Sequence, residues 1–228
     1  MKLSVVIPVL NERTALPVTI STLCQNASPD EIIVVDGGST DGTVEWLRAQ
    51  PNINVQSAKL GRGMQLHAGA HMAANDLLLF LHADSIIHPA LRGLMADALS
   101  NNDVAGGAST VRFPEPCTLG LRITATAINA RSILLHDATG DQGIFVRRSV
   151  YEASGGFRTW PLFEDFDLVK RIKQLGEFVI LRSPATLSPR RWTTRGVART
   201  NMLMLNLYIG YKLGISPDVL KHRYLDVR

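Results

Sequence analysis

What the sequence lacks narrows its chemistry first. Its 228 residues hold only two cysteines, Cys24 and Cys117, single and far apart. Neither a disulfide framework nor a cysteine zinc site can be built from them, and free thiols fit a reducing cytoplasm. No apolar run reaches membrane-spanning length without a charge. The best stretch, 197–215, is broken by Arg199, Asn201, Asn206 and Lys212, so no span is expected. Leu3 to Pro8 is too short for the apolar core of a signal peptide. Lys/Arg blocks with interleaved aromatics are missing, and nucleic acid is not an expected partner. The Gly-x-Gly-x-x-Gly turn of dinucleotide enzymes does not follow the first apolar run. No internal repeat or low-complexity segment occurs.

What is present is a well-filled core. Hydrophobic residues make up 46% and charged residues 19%, enough for one large globular domain or two small ones. The net charge of +4 suits phosphate-bearing ligands or an anionic surface. Apolar runs at 3–7, 31–35, 53–56 and 77–81 read as strands. Between them, 14–24, 44 onward and 61–74 read as helices, and 89–99 follows as a fourth. Continuous apolar strands alternating with helices predict a parallel, right-handed α/β sheet. The second half is less regular. We expect a strand at 104–113, a helix at 119–135, a flexible polar loop at 140–143 and a strand at 144–146. A helix at 164–174, a strand at 178–181 and an apolar helix at 197–213 complete the chain.

The chemistry gathers where strands end. Leu77 to Leu81 runs into His82-Ala83-Asp84. In an open parallel sheet the carboxyl ends of strands face the ligand crevice. A strand's period of two points His82 and Asp84 the same way. The plainer alternative makes Asp84 a turn cap. Asn11 and Glu12 follow the first strand, and Asp36 ends the second. Asp36 suits a ribose or a base; capping is the alternative for all three. Arg62 lies between two glycines at a helix start, a place that suits a diphosphate. His67 and His71 have metal-ligand spacing, but Ala68 replaces the glutamate of the zinc-protease pattern, so a packed or solvated pair is expected. Glu164, Asp165 and Asp167 complement the dipole of their helix, which turns basic at Lys170 and Arg171. Alternatively, one of them is a general base beside Trp160 and Phe163, which could cover a sugar face.

Four motifs in order carry a resemblance. They are Val-Val-Ile-Pro-Val-Leu-Asn-Glu (5–12), Val-Val-Asp-Gly-Gly-Ser-Thr-Asp-Gly-Thr (34–43), Phe-Leu-His-Ala-Asp (80–84) and Phe-Glu-Asp-Phe-Asp-Leu (163–168). Together they resemble family-2 glycosyltransferases of the GT-A fold, over residues 3 to about 182. The His-Ala-Asp variant is most similar to a small bacterial subgroup. The resemblance implies one GT-A domain over 1–228. Residues 1–100 would form the nucleotide-sugar half, 101–192 the acceptor and catalytic half, and 193–228 a C-terminal helix and tail.

The resemblance also implies site residues. Pro8, Asn11, Glu12, Asp36, Arg62 and Asp84 would bind a UDP- or GDP-sugar. Asp165 would be the base of an inverting, in-line attack by an acceptor hydroxyl. Asp141, Gln142, Trp160, Glu164 and Trp192 would face the acceptor. Asp84 would hold Mn²⁺ or Mg²⁺ opposite the leaving diphosphate. His82 replaces the first aspartate of the Asp-x-Asp motif. Either it ligates, tilting preference toward Mn²⁺, or it only hydrogen-bonds and leaves Asp84 the sole ligand. Arg190-Arg191-Trp192 is similar to the Gln-x-x-Arg-Trp motif of processive members without its glutamine, so single-sugar transfer is expected. The weighed alternatives are a non-catalytic nucleotide-sugar binding protein and a sugar-1-phosphate nucleotidyltransferase. The helix from 197 could pack on the core, make a homodimer or rest on the inner face of a membrane. Taken alone it has no Lys/Arg-rich face, which favours the first two.

Overall fold

A computed structural model describes residues 1–225; the last residues of the expected tail lie outside them. Seven strands form one sheet in the order β3-β2-β1-β4-β6-β5-β7. They are β1 Leu3–Val9, β2 Glu31–Asp36, β3 Asn54–Ser57, β4 Leu77–Phe80, β5 Val104–Arg112, β6 Ile144–Arg147 and β7 Glu177–Thr186. Only β6 runs against its neighbours, so the sheet is mostly parallel. The helices are α1 Leu16–Ala27, α2 Thr43–Arg48, α3 Arg62–Met72, α4 Leu91–Ala98, α5 Leu119–Leu135, α6 Arg148–Ala153, α7 Glu164–Ile172, α8 Arg190–Arg195, α9 Val197–Lys212 and α10 Pro217–Leu225.

The strands that read as unbroken apolar runs are those buried on both faces. Alternate residues of β1, Val5 and Ile7 against Val6, enter two separate core clusters, one on each side of the sheet. A two-sided core is why these strands show no polar alternation. The sequence led us to expect Pro8 to end β1 after Ile7, and it does not. The strand continues to Val9 because β4 already stops at Phe80, opposite Val6. Beyond that point the missing proline N–H faces no β4 partner.

Three short helices, α6, α8 and α10, were not foreseen, and β7 is longer than expected. The 140–143 segment is not a flexible polar loop. It is a 3₁₀ turn, Gly140–Gln142, with Gln142 fully buried. Because β6 is antiparallel and pairs Ile144 with Phe80, this turn sits over the carboxyl end of β4. The carboxyl end of β7 reaches the same edge, tied by Ile86 pairing with Thr186. Topology therefore brings residues 82–85, 139–141 and 187–195 together.

Candidate active site

One cavity of about 850 Å³ lies at that edge. His82 and Asp84 line it, but not by strand periodicity as reasoned from the sequence. Both follow the end of β4, in a turn where Ser85 N–H donates to the His82 carbonyl at 3.2 Å. Asp141, Asp165, Arg62, Arg131, Arg190 and Arg191 share the lining. Asp84 and Asp165 thus face one space from segments 81 residues apart.

Asp165 is buried in the first turn of α7. Gly140 N–H donates to its Oδ2 and Phe166 N–H to its Oδ1, each at 2.8 Å. Burial, then the neighbouring Glu164 charge, pushes its pKa up to about 6 against the pull of Arg62. Glu164 itself is 1% exposed and ion-paired with the half-buried Arg62. Burial works against the Arg62 charge, but Glu164 and then Asp165 outweigh it and raise its pKa. Gly63 permits this meeting of α3 and α7: a Cβ there would come within 2.4 Å of the Arg158 carbonyl and 3.3 Å of Glu164 Cβ.

His82 is kept neutral. Burial, then Arg62, lowers its pKa to about 4. Its Nε2 is buried without a hydrogen-bond partner, and a Cβ on Gly140 would stand 2.7 Å from it. Glycine at 140 is therefore a packing requirement. Asp84 has its pKa raised by burial, opposed by Arg190 and Arg191 and reinforced by Asp141.

The expected donor residues Pro8, Asn11, Glu12 and Asp36 do not line this cavity. They sit at the carboxyl ends of β1 and β2. Asn11, at φ 56°, donates its N–H to Ser39 Oγ and accepts from Thr40 N–H, both at 2.8 Å. Asp36 is buried and its carboxylate accepts from Gly38 and Ser39 N–H. Glu12 links these strand ends to the cavity: it pairs with the lining residue Arg190 at 3.2 Å. Burial raises its pKa, against Arg190 and with a push from Asp84.

The expected acceptor residues separate. Asp141 and Trp192 line the cavity, and Trp192 is also packed edge-on to Phe113 with its Nε1–H donated to Asn201. Gln142, Glu164 and Trp160 do not line it. Gln142 donates to the Ser109 carbonyl at 2.8 Å and caps its own turn, so its amide is spent on the fold. Trp160 turns its ring to Tyr211 and to the Arg158 guanidinium. Phe163, expected to cover a sugar face, does line the cavity. Residues with no motif were missed: Arg131, whose guanidinium lies over Phe166 and Tyr208, and the rest of the apolar wall, Ile123, Leu162 and Leu205. His67 and His71 contact each other at 3.1 Å and His67 contacts Tyr151. They lie outside the cavity lining, as a packed pair.

A mostly parallel sheet with acids and arginines gathered at its carboxyl edge is the GT-A architecture. The chain belongs to glycosyl transferase family 2, whose model matches residues 4–160. Among curated relatives, an undecaprenyl-phosphate 4-deoxy-4-formamido-L-arabinose transferase of Yersinia enterocolitica serotype O:8 is 33% identical over 171 residues. That alignment covers 67% of this chain and 50% of the relative, so the chain spans about half the length of such relatives. Among solved structures, the mannosyltransferase PcManGT of Pyrobaculum calidifontis, in complex with GDP-Man and Mn²⁺, is 19% identical with a TM-score of 0.63. It covers 99% of this chain and 69% of its own. Glucosyl-3-phosphoglycerate synthase of Mycobacterium tuberculosis, in complex with Mn²⁺, UDP and glucosyl-3-phosphoglycerate, is 23% identical with a TM-score of 0.61, over 90% of this chain and 78% of its own. At these identities the structures establish the fold.

Proposed function

We propose that this chain moves one sugar, with inversion, from a UDP- or GDP-sugar to a lipid-linked acceptor in a reducing compartment such as the cytoplasm. The observation that carries this reading is that Asp84 and Asp165 line one cavity beside Arg62. The nucleotide would lie against Asn11, Glu12 and Asp36 at the ends of β1 and β2, with its diphosphate reaching past Glu12 toward Arg62 and Arg190. Asp165 would take the proton of the attacking acceptor hydroxyl. Two backbone N–H groups orient its carboxylate, and a pKa of about 6 leaves it ionised yet basic near neutral pH. The apolar wall would hold the hydrocarbon of the acceptor.

Among the described residues no group of three histidine, cysteine, aspartate or glutamate side chains could hold a metal alone. The donors present still fit a divalent cation completed by phosphate oxygens and waters. Asp84 has a carboxylate that burial disfavours as an anion, and His82 has a neutral ring with an unpartnered Nε2. Mn²⁺ or Mg²⁺ held by Asp84 would neutralise charge on the leaving diphosphate.

The acceptor group has a second reading. Six basic side chains line the cavity, Arg62, Arg131, Arg190, Arg191, Arg195 and Lys221, against three aspartates. Arg62 is paired with Glu164 and Arg190 with Glu12, which leaves Arg131, Arg191, Arg195 and Lys221 for a second anion and favours an acceptor that is itself a phosphate. The name of the Yersinia relative, with its undecaprenyl phosphate, agrees with this reading. One experiment tests both. Release of nucleoside diphosphate is followed over UDP-, GDP- and dTDP-sugars with Mn²⁺ or Mg²⁺, with hydroxyl and phosphate polyprenyl acceptors. Turnover with no donor would return the chain to a binding role. Loss in Asp165→Asn supports the hydroxyl; retained turnover on the phosphate supports the second reading, since a phosphate dianion needs no base.

A further inference from the structure

We propose that the outward faces of α5 and α9 form a docking surface for an anionic phospholipid bilayer, onto which the cavity opens. The helix surfaces facing solvent are apolar where polar residues are the rule. On α5, Leu119 and Leu134 are 72% and 76% exposed, with Ile123 between them; on α9, Leu205 and Leu213 are 52% and 77% exposed. Positions 119, 123 and 134, and positions 202, 205, 209 and 213, each trace one stripe of a 3.6-residue helix.

The two stripes belong to one surface. A Cβ on Gly120 would touch Val197 at 3.2 Å, Asn201 Nδ2 donates to Thr124 Oγ1 at 2.8 Å, and Arg131 lies over the Tyr208 ring. Contacts advancing together along both helices make them a parallel pair. At 17 residues, α5 gives this surface a length of about 25 Å. Ile123 and Leu205 are exposed and also line the cavity, so the stripes meet at its mouth.

Charge selects the occupant. Residues 119–135 and 187–225 carry nine arginines and lysines and one aspartate; the rest of the chain carries fifteen against nineteen acidic residues. Helices α5 and α9 themselves carry Arg122, Arg131, Arg199 and Lys212 and no acid, and Arg190, Arg191, Arg195 and Lys221 line the cavity that opens beside them, so the positive excess of the protein gathers on and around this face. A second copy docked by two-fold symmetry would set like charges against each other. An anionic lipid surface complements them, and apolar side chains flanked by basic ones lie at such an interface without spanning it. No helix among the described residues is long and apolar enough to cross a membrane. Delivery of a lipid-linked acceptor through this mouth rests on the proposed function; the docking face does not.

The test is flotation of the whole chain with vesicles of phosphatidylcholine, with and without one quarter phosphatidylglycerol. Binding to the anionic vesicles at least tenfold above the neutral ones, reduced at high salt, is expected. Leu134→Glu with Leu213→Glu should remove it tenfold or more at an unchanged melting temperature, since both side chains are exposed and neither lines the cavity. No vesicle binding, or equal binding by the double variant, would overturn the proposal. So would a dimer in light scattering that the double variant dissociates, which would make the face a self-contact. Nucleoside diphosphate release without vesicles reports on the transferase reading separately.

Discussion

Asp165, His82 and Gly140 form a stack in which each residue constrains the next. Gly140 holds Asp165 by its N–H and makes room for the His82 ring. Gly140→Ala should cost about 1–3 kcal/mol of stability through overpacking, read in a denaturant titration. Combining it with His82→Ala should recover most of that loss, because the clash is with the ring. Asp165→Asn should lower transfer to a hydroxyl acceptor by roughly 10²–10⁴-fold. In the wild type, the rate should fall as pH drops through about 6. The sign follows from the role: a base must be ionised, and protonation removes it. Asp84→Ala should abolish Mn²⁺-dependent nucleotide binding in titration calorimetry, while His82→Ala weakens it. Unchanged binding in the Asp84 variant would remove the metal reading. Acids at strand ends were legible in the sequence because a charge closing an apolar run has few structural excuses. Gly140 and Gln142 were not: their roles depend on what β6 brings over β4, which no local pattern encodes.

Among elements, the apolar strands were readable and the short helices were not. A strand buried on both faces advertises itself, whereas the six residues of α6 or α8 complete too few turns to show a period. Helix α9 was half legible. Its Leu207 and Tyr208 pack on the Phe163 and Phe166 cluster, as core packing requires, but its outer stripe gains meaning only beside α5. Helix α3 holds a device with no motif at all. Gln65 is buried, and its Nε2 donates to the Val9 and Val35 carbonyls at 2.8 Å each, clamping the ends of β1 and β2. Gln65→Leu removes two buried hydrogen bonds worth about 0.5–1.5 kcal/mol each, although the Val9 carbonyl keeps the Gly37 N–H at 3.0 Å, so a loss of about 1–3 kcal/mol is expected. For a chain of this size that is a fall of several degrees in Tm, measurable by calorimetry.

Across the whole molecule, the sheet order follows from the alternation of strands and helices up to β4. The antiparallel insertion of β6 then carries the second half of the chain back over the same edge. That reversal was hidden, because a four-residue strand reads alike in either direction. Its result is that an arginine on α3 meets a glutamate 102 residues later. Arg62 attracts both Glu164 and Asp165, so the two halves share one guanidinium. On the proposed reading, a diphosphate arriving beside Arg62 would dilute that attraction, and Asp165 would then grip a proton more tightly. Substrate occupancy on one side would thereby retune basicity on the other. The acidic midpoint of kcat, which describes the loaded enzyme, should accordingly lie above that of kcat/KM, which describes the free one. Coincident midpoints would mean that the shared cation carries no message between donor and base.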